Sequence, residues 1–163
     1  MKFLSIADAI SRRSGEAASF LLIVAIIAIT YEVIARYLFN APTIWANELT
    51  VYLLGILYMI GGAYTLYLKG HVSIDILYVR FSPRTRAISD LLTSLCFFLF
   101  CGVLLWQGIE YASASVIGGE TSGTPWNPPI YFLKIAIPLG ASLILIQGVA
   151  KFARDFSTAV KGR

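Results

Sequence analysis

Residues 36–75 read RYLFNAPTIWANELTVYLLGILYMIGGAYTLYLKGHVSID. A turn containing Asn40 and Pro42 separates the end of one apolar run from the start of the next, and the second run ends at Lys69. Apolar runs of this length are typical of membrane-spanning helices. The stretch therefore predicts a helical hairpin with polar groups at both ends of its second helix.

The composition of the whole chain is that of a membrane protein. Of its 163 residues, 58% are hydrophobic and 13% are charged, and the mean hydropathy is +0.76. This composition predicts one all-α membrane domain over residues 1–163, with room for about four helices of roughly 20 residues. The net charge of +4 comes from cations beside the apolar runs. That placement favours membrane lipid, rather than nucleic acid, as the partner of the basic residues.

The apolar runs predict four spans, at about 17–39, 44–68, 88–111 and 130–152. The first run is too long for the apolar core of a signal peptide, so we expect it to be retained. Residues 3–10 have helical spacing of apolar side chains and fit a helix along the membrane surface. Between spans two and three, residues 71–82 place His71 and Asp75 on one helical stripe with apolar neighbours. That pattern predicts a short amphipathic helix at the interface.

The positions of the lysines and arginines predict the orientation in the membrane. Eleven of the 13 flank the side of the predicted spans that carries both termini. The other two, Arg36 and Lys134, lie inside spans near the opposite face. The positive-inside rule then places both termini in the cytoplasm, with the 40–43 turn and the 112–129 loop on the other side.

Ionisable residues inside the predicted spans are few. Away from the cation-rich ends of the spans, they are Glu32, Arg36, Glu48, Glu110 and Lys134. At 1.5 Å per residue, all of them lie in the half of the membrane away from the termini. Secondary transporters usually bind their solute near the midplane. The sequence therefore lacks the visible residues that a protein needs to carry a solute alone.

Arg36 and Glu48 lie at similar depths across the hairpin turn, about one helical turn from its ends. Glu32 faces Arg36 at i, i+4. Because a charge inside a membrane normally needs a partner, these positions predict a Glu32–Arg36–Glu48 cluster. We interpret it as a lock on the hairpin or a contact to a partner subunit. The alternative is a proton or substrate site.

The other polar candidates favour structural roles. Lys134 has three candidate environments: Glu110, Glu120, or the lipid headgroups reached by snorkelling. His71 and Asp75 are one turn apart and suit a cap and an anchor of the interfacial helix. Neither a nucleophile nor a second histidine accompanies them, which argues against catalysis.

The aromatic residues and cysteines point the same way. Trp126 closes the loop before span four and suits the interfacial aromatic belt, and Trp45 stands at the start of span two. Cys96 and Cys101 have the wrong helical spacing for a disulfide and are interpreted as buried small residues. With His71 as the single histidine, a haem between paired histidines or a His-rich metal site is excluded, so we expect neither an enzyme nor a cofactor.

Three segments together resemble a known family. They are RYLFNAPTIWANEL at 36–49, KGHVSIDIL at 69–77 and TPWNPPIYFLKIAIPLG at 124–140. In this order they resemble the small membrane subunit, of DctQ type, of tripartite ATP-independent periplasmic (TRAP) transporters. The resemblance extends over about residues 32–152.

The resemblance implies an accessory subunit of a secondary importer of organic acids in the bacterial inner membrane. It also implies a separate large membrane subunit that moves the solute, with sodium coupling in that partner, and a periplasmic solute-binding protein that delivers the solute. The alternative is a self-contained small proton-coupled exporter that uses Glu32 as its carboxylate.

Overall fold

The computed structural model describes residues 2–68, 70 and 83–161. The helices in this part are α1 (Lys2–Leu38), α2 (Ala46–Tyr67), α3 (Pro83–Ile117) and α4 (Tyr131–Lys161). All four are long and apolar enough to cross a membrane, which confirms the all-α, four-span prediction. The predicted interfacial helix at 71–82, with His71 and Asp75, lies outside the described residues.

The helices α1, α3 and α4 are longer than the apolar runs that predicted them. The 37 residues of α1 form one continuous helix, which at 1.5 Å per residue is about 55 Å long. A hydrocarbon core is about 30 Å thick. Hydropathy marks the membrane-embedded part of a helix and not its ends. Residues 3–10, which we expected along the membrane surface, therefore continue α1 instead.

Helix α4 occupies the centre of the bundle. It contacts each of the other three helices, while α1 and α2 also pack against each other. Helix α3 packs mainly on α4. The chain order therefore does not match the packing order, because the last helix returns to the middle.

The core is built from small side chains. In the described part of the chain, the buried apolar residues are eleven alanines and Cys101. Large apolar side chains point outward, as at Phe20, Leu92 and Trp106. Lipid tails are as apolar as leucine, so membrane helices gain little by burying large side chains and pack through small ones. On α1 the buried small residues recur at helical spacing, and they include Ala7, Ser11, Gly15 and Ala18.

Two glycines mark close approaches of α2 to its neighbouring helices. A Cβ atom at Gly140 of α4 would lie 2.3 Å from the carbonyl oxygen of Met59 in α2. A Cβ atom at Gly15 of α1 would lie 2.4 Å from Cγ of Tyr64, also in α2. Backbone cannot move aside as a side chain can, so only glycine fits at position 140.

Candidate functional site

Glu32 is the most buried ionisable residue of the predicted cluster, with 3% of its surface exposed. One carboxylate oxygen accepts hydrogen bonds from the Arg36 guanidinium, including one from Nε at 2.8 Å. The other accepts the backbone N–H of Thr43 at 2.9 Å and the Thr43 hydroxyl. Thr43 lies in the segment between α1 and α2. The carboxylate therefore ties this turn to the end of α1.

The turn reaches Glu32 because of the way α1 ends. Asn40 has a φ of 51°, in the left-handed region that asparagine tolerates better than most residues. The N–H of Ala41 then donates back to the carbonyl of Ala35 at 2.9 Å, which satisfies one of the carbonyls that have no partner within the helix at the end of α1. Trp45 closes the same hairpin, since its ring stacks on Tyr31 with 5.9 Å between centroids.

Glu48 has partners other than the predicted one. Its carboxylate accepts the hydroxyl of Thr124 at 2.7 Å and the hydroxyl of Tyr52 at 3.2 Å. Both Glu48 and Arg36 are described, and they form no ion pair with each other. The predicted Arg36–Glu48 pair is therefore wrong. Arg36 finds Glu32 on its own helix, whereas Glu48 faces the loop that joins α3 to α4.

Of the three environments predicted for Lys134, the structure shows the one with Glu120. Its ammonium pairs with Glu120 and lies 3.9 Å from the centre of the Tyr111 ring. The carbonyl of Glu120 also accepts the N–H of Ile130 at 3.0 Å, so this residue joins both ends of the loop. The hydrogen bond from Lys134 lowers the pKa of the Glu120 carboxyl. Glu110, the other candidate, has no ion pair within the described residues.

The rest of this loop is also ordered by its own side chains. The amide oxygen of Asn127 accepts the N–H of Gly123 at 3.0 Å. Both residues have left-handed backbones, with φ of 53° and 69°. Trp126 is half-buried beside them, as an anchor at the interface would be. The turn at 39–45 and the loop at 118–130 lie at the same end of the bundle, and we refer to it as the turn end.

The opposite end carries a polar network that the sequence analysis missed. Ser11 donates to the Gln147 amide oxygen at 2.9 Å, and the amide nitrogen of Gln147 donates to Asp8 at 3.0 Å. Arg154 donates to the other oxygen of Asp8 at 2.6 Å. Gln147 is only 1% exposed. We refer to this end, where α1 begins and α4 finishes, as the terminal end.

A second contact at the terminal end holds α3. Lys151 lies 3.0 Å from Asp90 of α3 and 2.8 Å from Asp155 of its own helix. A helical spacing of three and four residues joins Gln147, Lys151 and Arg154 along α4. That spacing was the available signal, but Gln147 carries no charge and Asp8 precedes the predicted first span.

The arrangement is suited to holding segments together and not to chemistry. Within residues 2–68, 70 and 83–161, no group of three or more His, Cys, Asp or Glu side chains could hold a metal ion. Cys101 is buried, as predicted, but Cys96 is exposed on the outer side of α3, and that part of the prediction is wrong. A helix that packs on one neighbour leaves most of its circumference outside.

Comparison with known proteins identifies the family of the chain. The family model described as Tripartite ATP-independent periplasmic transporters, DctQ component, matches residues 25–158. No curated protein sequence matches the chain. The family match includes α2, α3, most of α4 and the last part of α1, from residue 25 onward. Its members are transporter components and not enzymes. The chain therefore belongs to the DctQ family and is the small membrane subunit of a TRAP transporter.

Proposed function

We propose that this subunit is a scaffold that does not itself carry the solute. It works beside a separate large membrane subunit, which moves an organic acid with a sodium gradient. A periplasmic solute-binding protein delivers that acid. The family supports a transporter with these parts.

The observation that carries the proposal is the apolar middle of the bundle. Between the two polar ends, the buried residues on α1 and α4 include Ala18, Ala25, Ala28, Ala136 and Ala141. The contact of Gly140 with the backbone of α2 leaves no room for a solute between α2 and α4 at that depth. A transporter that works alone needs polar groups near the midplane to replace the water around its solute.

The exporter hypothesis requires a carboxylate that exchanges its proton with water. Glu32 does not fit that requirement, because both of its oxygens already accept hydrogen bonds from Arg36 or Thr43. It is also almost fully buried. A proton carrier would have to break this lock in every cycle, and the turn between α1 and α2 would be released with it.

We also propose that both termini are cytoplasmic. The contact of Asp8 with Arg154 supports one shared side for them, and the cation-rich flanks favour the cytoplasm. In a variant without Cys96 and Cys101, a cysteine at Thr121 should react with an impermeant thiol reagent from the periplasm. A cysteine at Ser5 should not react. The reverse pattern would overturn the orientation.

Uptake into proteoliposomes tests the scaffold role. The vesicles contain this subunit, the large subunit, or both, with the binding protein and its loaded solute outside. Uptake should require both membrane subunits and an inward sodium gradient. If this subunit alone accumulates solute, the scaffold role is wrong. If the pair transports without a sodium gradient, only the proposed coupling is wrong.

A further inference from the structure

A groove opens sideways between α1, α2 and α4, with a volume of about 430 Å³. Its lining includes Ser14, Ala17 and Leu21 of α1, Ile60 of α2, and Leu139 and Ser142 of α4. Neither serine offers a free donor. The hydroxyl of Ser14 donates to the carbonyl of Ser11 at 3.1 Å, and that of Ser142 donates to the carbonyl of Leu139 at 2.8 Å. The groove therefore presents a hydrocarbon surface to its occupant.

On α1 and α2, the groove lies in the half of each helix nearer the terminal end. Its wall on α1 extends from Ser14 to Leu21, which is about 10 Å along the helix axis. The apolar run of α1 begins within this interval, at Ala17. At this depth, an opening in the side of a membrane protein faces the acyl chains of one leaflet.

A cation precedes the α1 wall of the groove in the sequence. Arg13 immediately precedes Ser14 and lies one helical turn before Ala17. It is exposed, and no ion pair joins it to another residue of the described part. Its neighbour Arg12 instead pairs with Glu16, with 3.8 Å between Nε and Oε1. Of the two adjacent arginines, Arg12 therefore has an acidic partner, and Arg13 has none among the described residues.

We propose that this groove binds an anionic phospholipid, with an acyl chain along Ala17 and Leu21 and the phosphate at Arg13. A guanidinium donates two parallel hydrogen bonds to a phosphate, which suits it to this headgroup. The long side chain of arginine also reaches from the hydrocarbon edge to the headgroup level. A helix of the large subunit is the other candidate occupant, but an apolar helix would supply no anion to Arg13, which has no ion pair among the described residues. The site is independent of the proposed scaffold role.

Native mass spectrometry of the purified full-length protein in detergent tests the headgroup contact. Phosphatidylglycerol and phosphatidylcholine with the same acyl chains are added in equal amounts. We expect a preference for phosphatidylglycerol of about fivefold, as for one basic residue at an anionic surface. Arg13→Gln should abolish the preference and Arg13→Lys should keep most of it. Arg12→Gln, the matched control, should leave it unchanged.

A second pair of variants tests the acyl chain. Ala17→Leu fills the groove and should reduce the binding of both lipids several-fold. Ala114→Leu, at an exposed alanine of α3, should not. An equal loss of preference in Arg12→Gln and Arg13→Gln would overturn the site in favour of a diffuse basic rim. Unchanged binding in Ala17→Leu, or release of the lipid when the large subunit binds, would also overturn it.

Discussion

The two ends of the bundle are held together in different ways. At the turn end, a charged side chain holds a connecting segment that is close in sequence, as Glu32 holds Thr43. At the terminal end, polar side chains join helices that are far apart in sequence, as Asp8 joins Arg154. Apart from the contact of Glu48 with Thr124, the turn end is organised by contacts close in sequence, whereas the terminal end depends on the packing of the whole bundle.

The two ends therefore differ in how much tertiary structure must be present before their contacts can form. The contacts of Glu32 with Thr43 and of Glu120 with Lys134 close over short loops, so they require little prior tertiary structure. The contact of Ser11 with Gln147 exists only after α4 has returned to pack beside α1. Variants at the turn end should therefore disturb one segment, and variants in the packed middle or at the terminal end should separate helices.

The largest effect is expected between the two ends, where packing alone holds α2 to α4. Gly140→Ala places a Cβ atom 2.3 Å from a backbone oxygen of Met59, which cannot move aside. Overpacking of this kind costs about 1–3 kcal/mol, and we expect the upper part of that range. The melting temperature in detergent, followed by size-exclusion chromatography, measures the loss.

The matched controls are Gly61→Ala and Gly102→Ala, because neither glycine has a neighbour within 4 Å of the added atom. Alanine is favoured over glycine in a helix by about 1 kcal/mol, so both variants should be as stable as the natural protein or more stable. A loss at position 140 no larger than at these positions would show that close packing does not hold the middle.

The next effect is expected at Glu32. Glu32→Ala leaves the half-buried donors of Thr43 and the guanidinium of Arg36 without their acceptor. An unsatisfied buried donor costs about 1–3 kcal/mol, and the partial exposure of Arg36 reduces its share. Glu32→Gln keeps an acceptor oxygen and should lose less. Melting curves of the two variants measure the difference.

A charge swap tests whether Arg36 and Glu48 interact. Because Arg36 and Glu48 are not partners, Arg36→Glu combined with Glu48→Arg should be at least as unstable as either single variant. Recovery of stability in the swap would mean that the two residues do pair in the membrane.

A smaller effect is expected at the terminal end. Gln147→Leu removes the hydrogen bonds to Ser11 and Asp8 while preserving most of the buried volume. We expect a loss of about 1–2 kcal/mol, since a lost acceptor leaves the Ser11 hydroxyl unsatisfied. Adding Ser11→Ala should restore part of the stability, because both sides of the contact are then apolar. Purely additive losses in this double-mutant cycle would contradict a direct contact.

The smallest effect concerns the pH dependence of Glu120. Its pKa is lowered in the folded protein, first by the hydrogen bond from Lys134. A lowered pKa stabilises the folded state above the ordinary glutamate pKa, and the stabilisation is lost as the pH falls through the lowered value. The natural protein should therefore lose more stability than Glu120→Gln between about pH 5 and pH 3. Parallel acid titrations of the two proteins would contradict a role for the pair.

Three residues show which contacts can be predicted from local sequence patterns and which cannot. Glu32 and Arg36 were predicted together because i, i+4 positions meet on any helix. The loop anchor of Lys134 was one of three alternatives, since its choice depends on how 118–130 folds over α4. The partner of Glu48 was predicted wrongly because Thr124 is 76 residues away in sequence.

The sequence by itself determined four spans, a tight hairpin and the family, because hydropathy, length and turn residues act locally along the chain. Only the tertiary structure decided which side chains meet. The rotation and depth of each helix are set by small residues in the interfaces, and similar small residues occur at positions that do not pack. A Cβ atom added at Gly140 would meet the backbone of α2, whereas one added at Gly102 would have no neighbour within 4 Å. Both residues are nevertheless glycines within apolar helices. That difference exists only after α4 has taken its place in the centre.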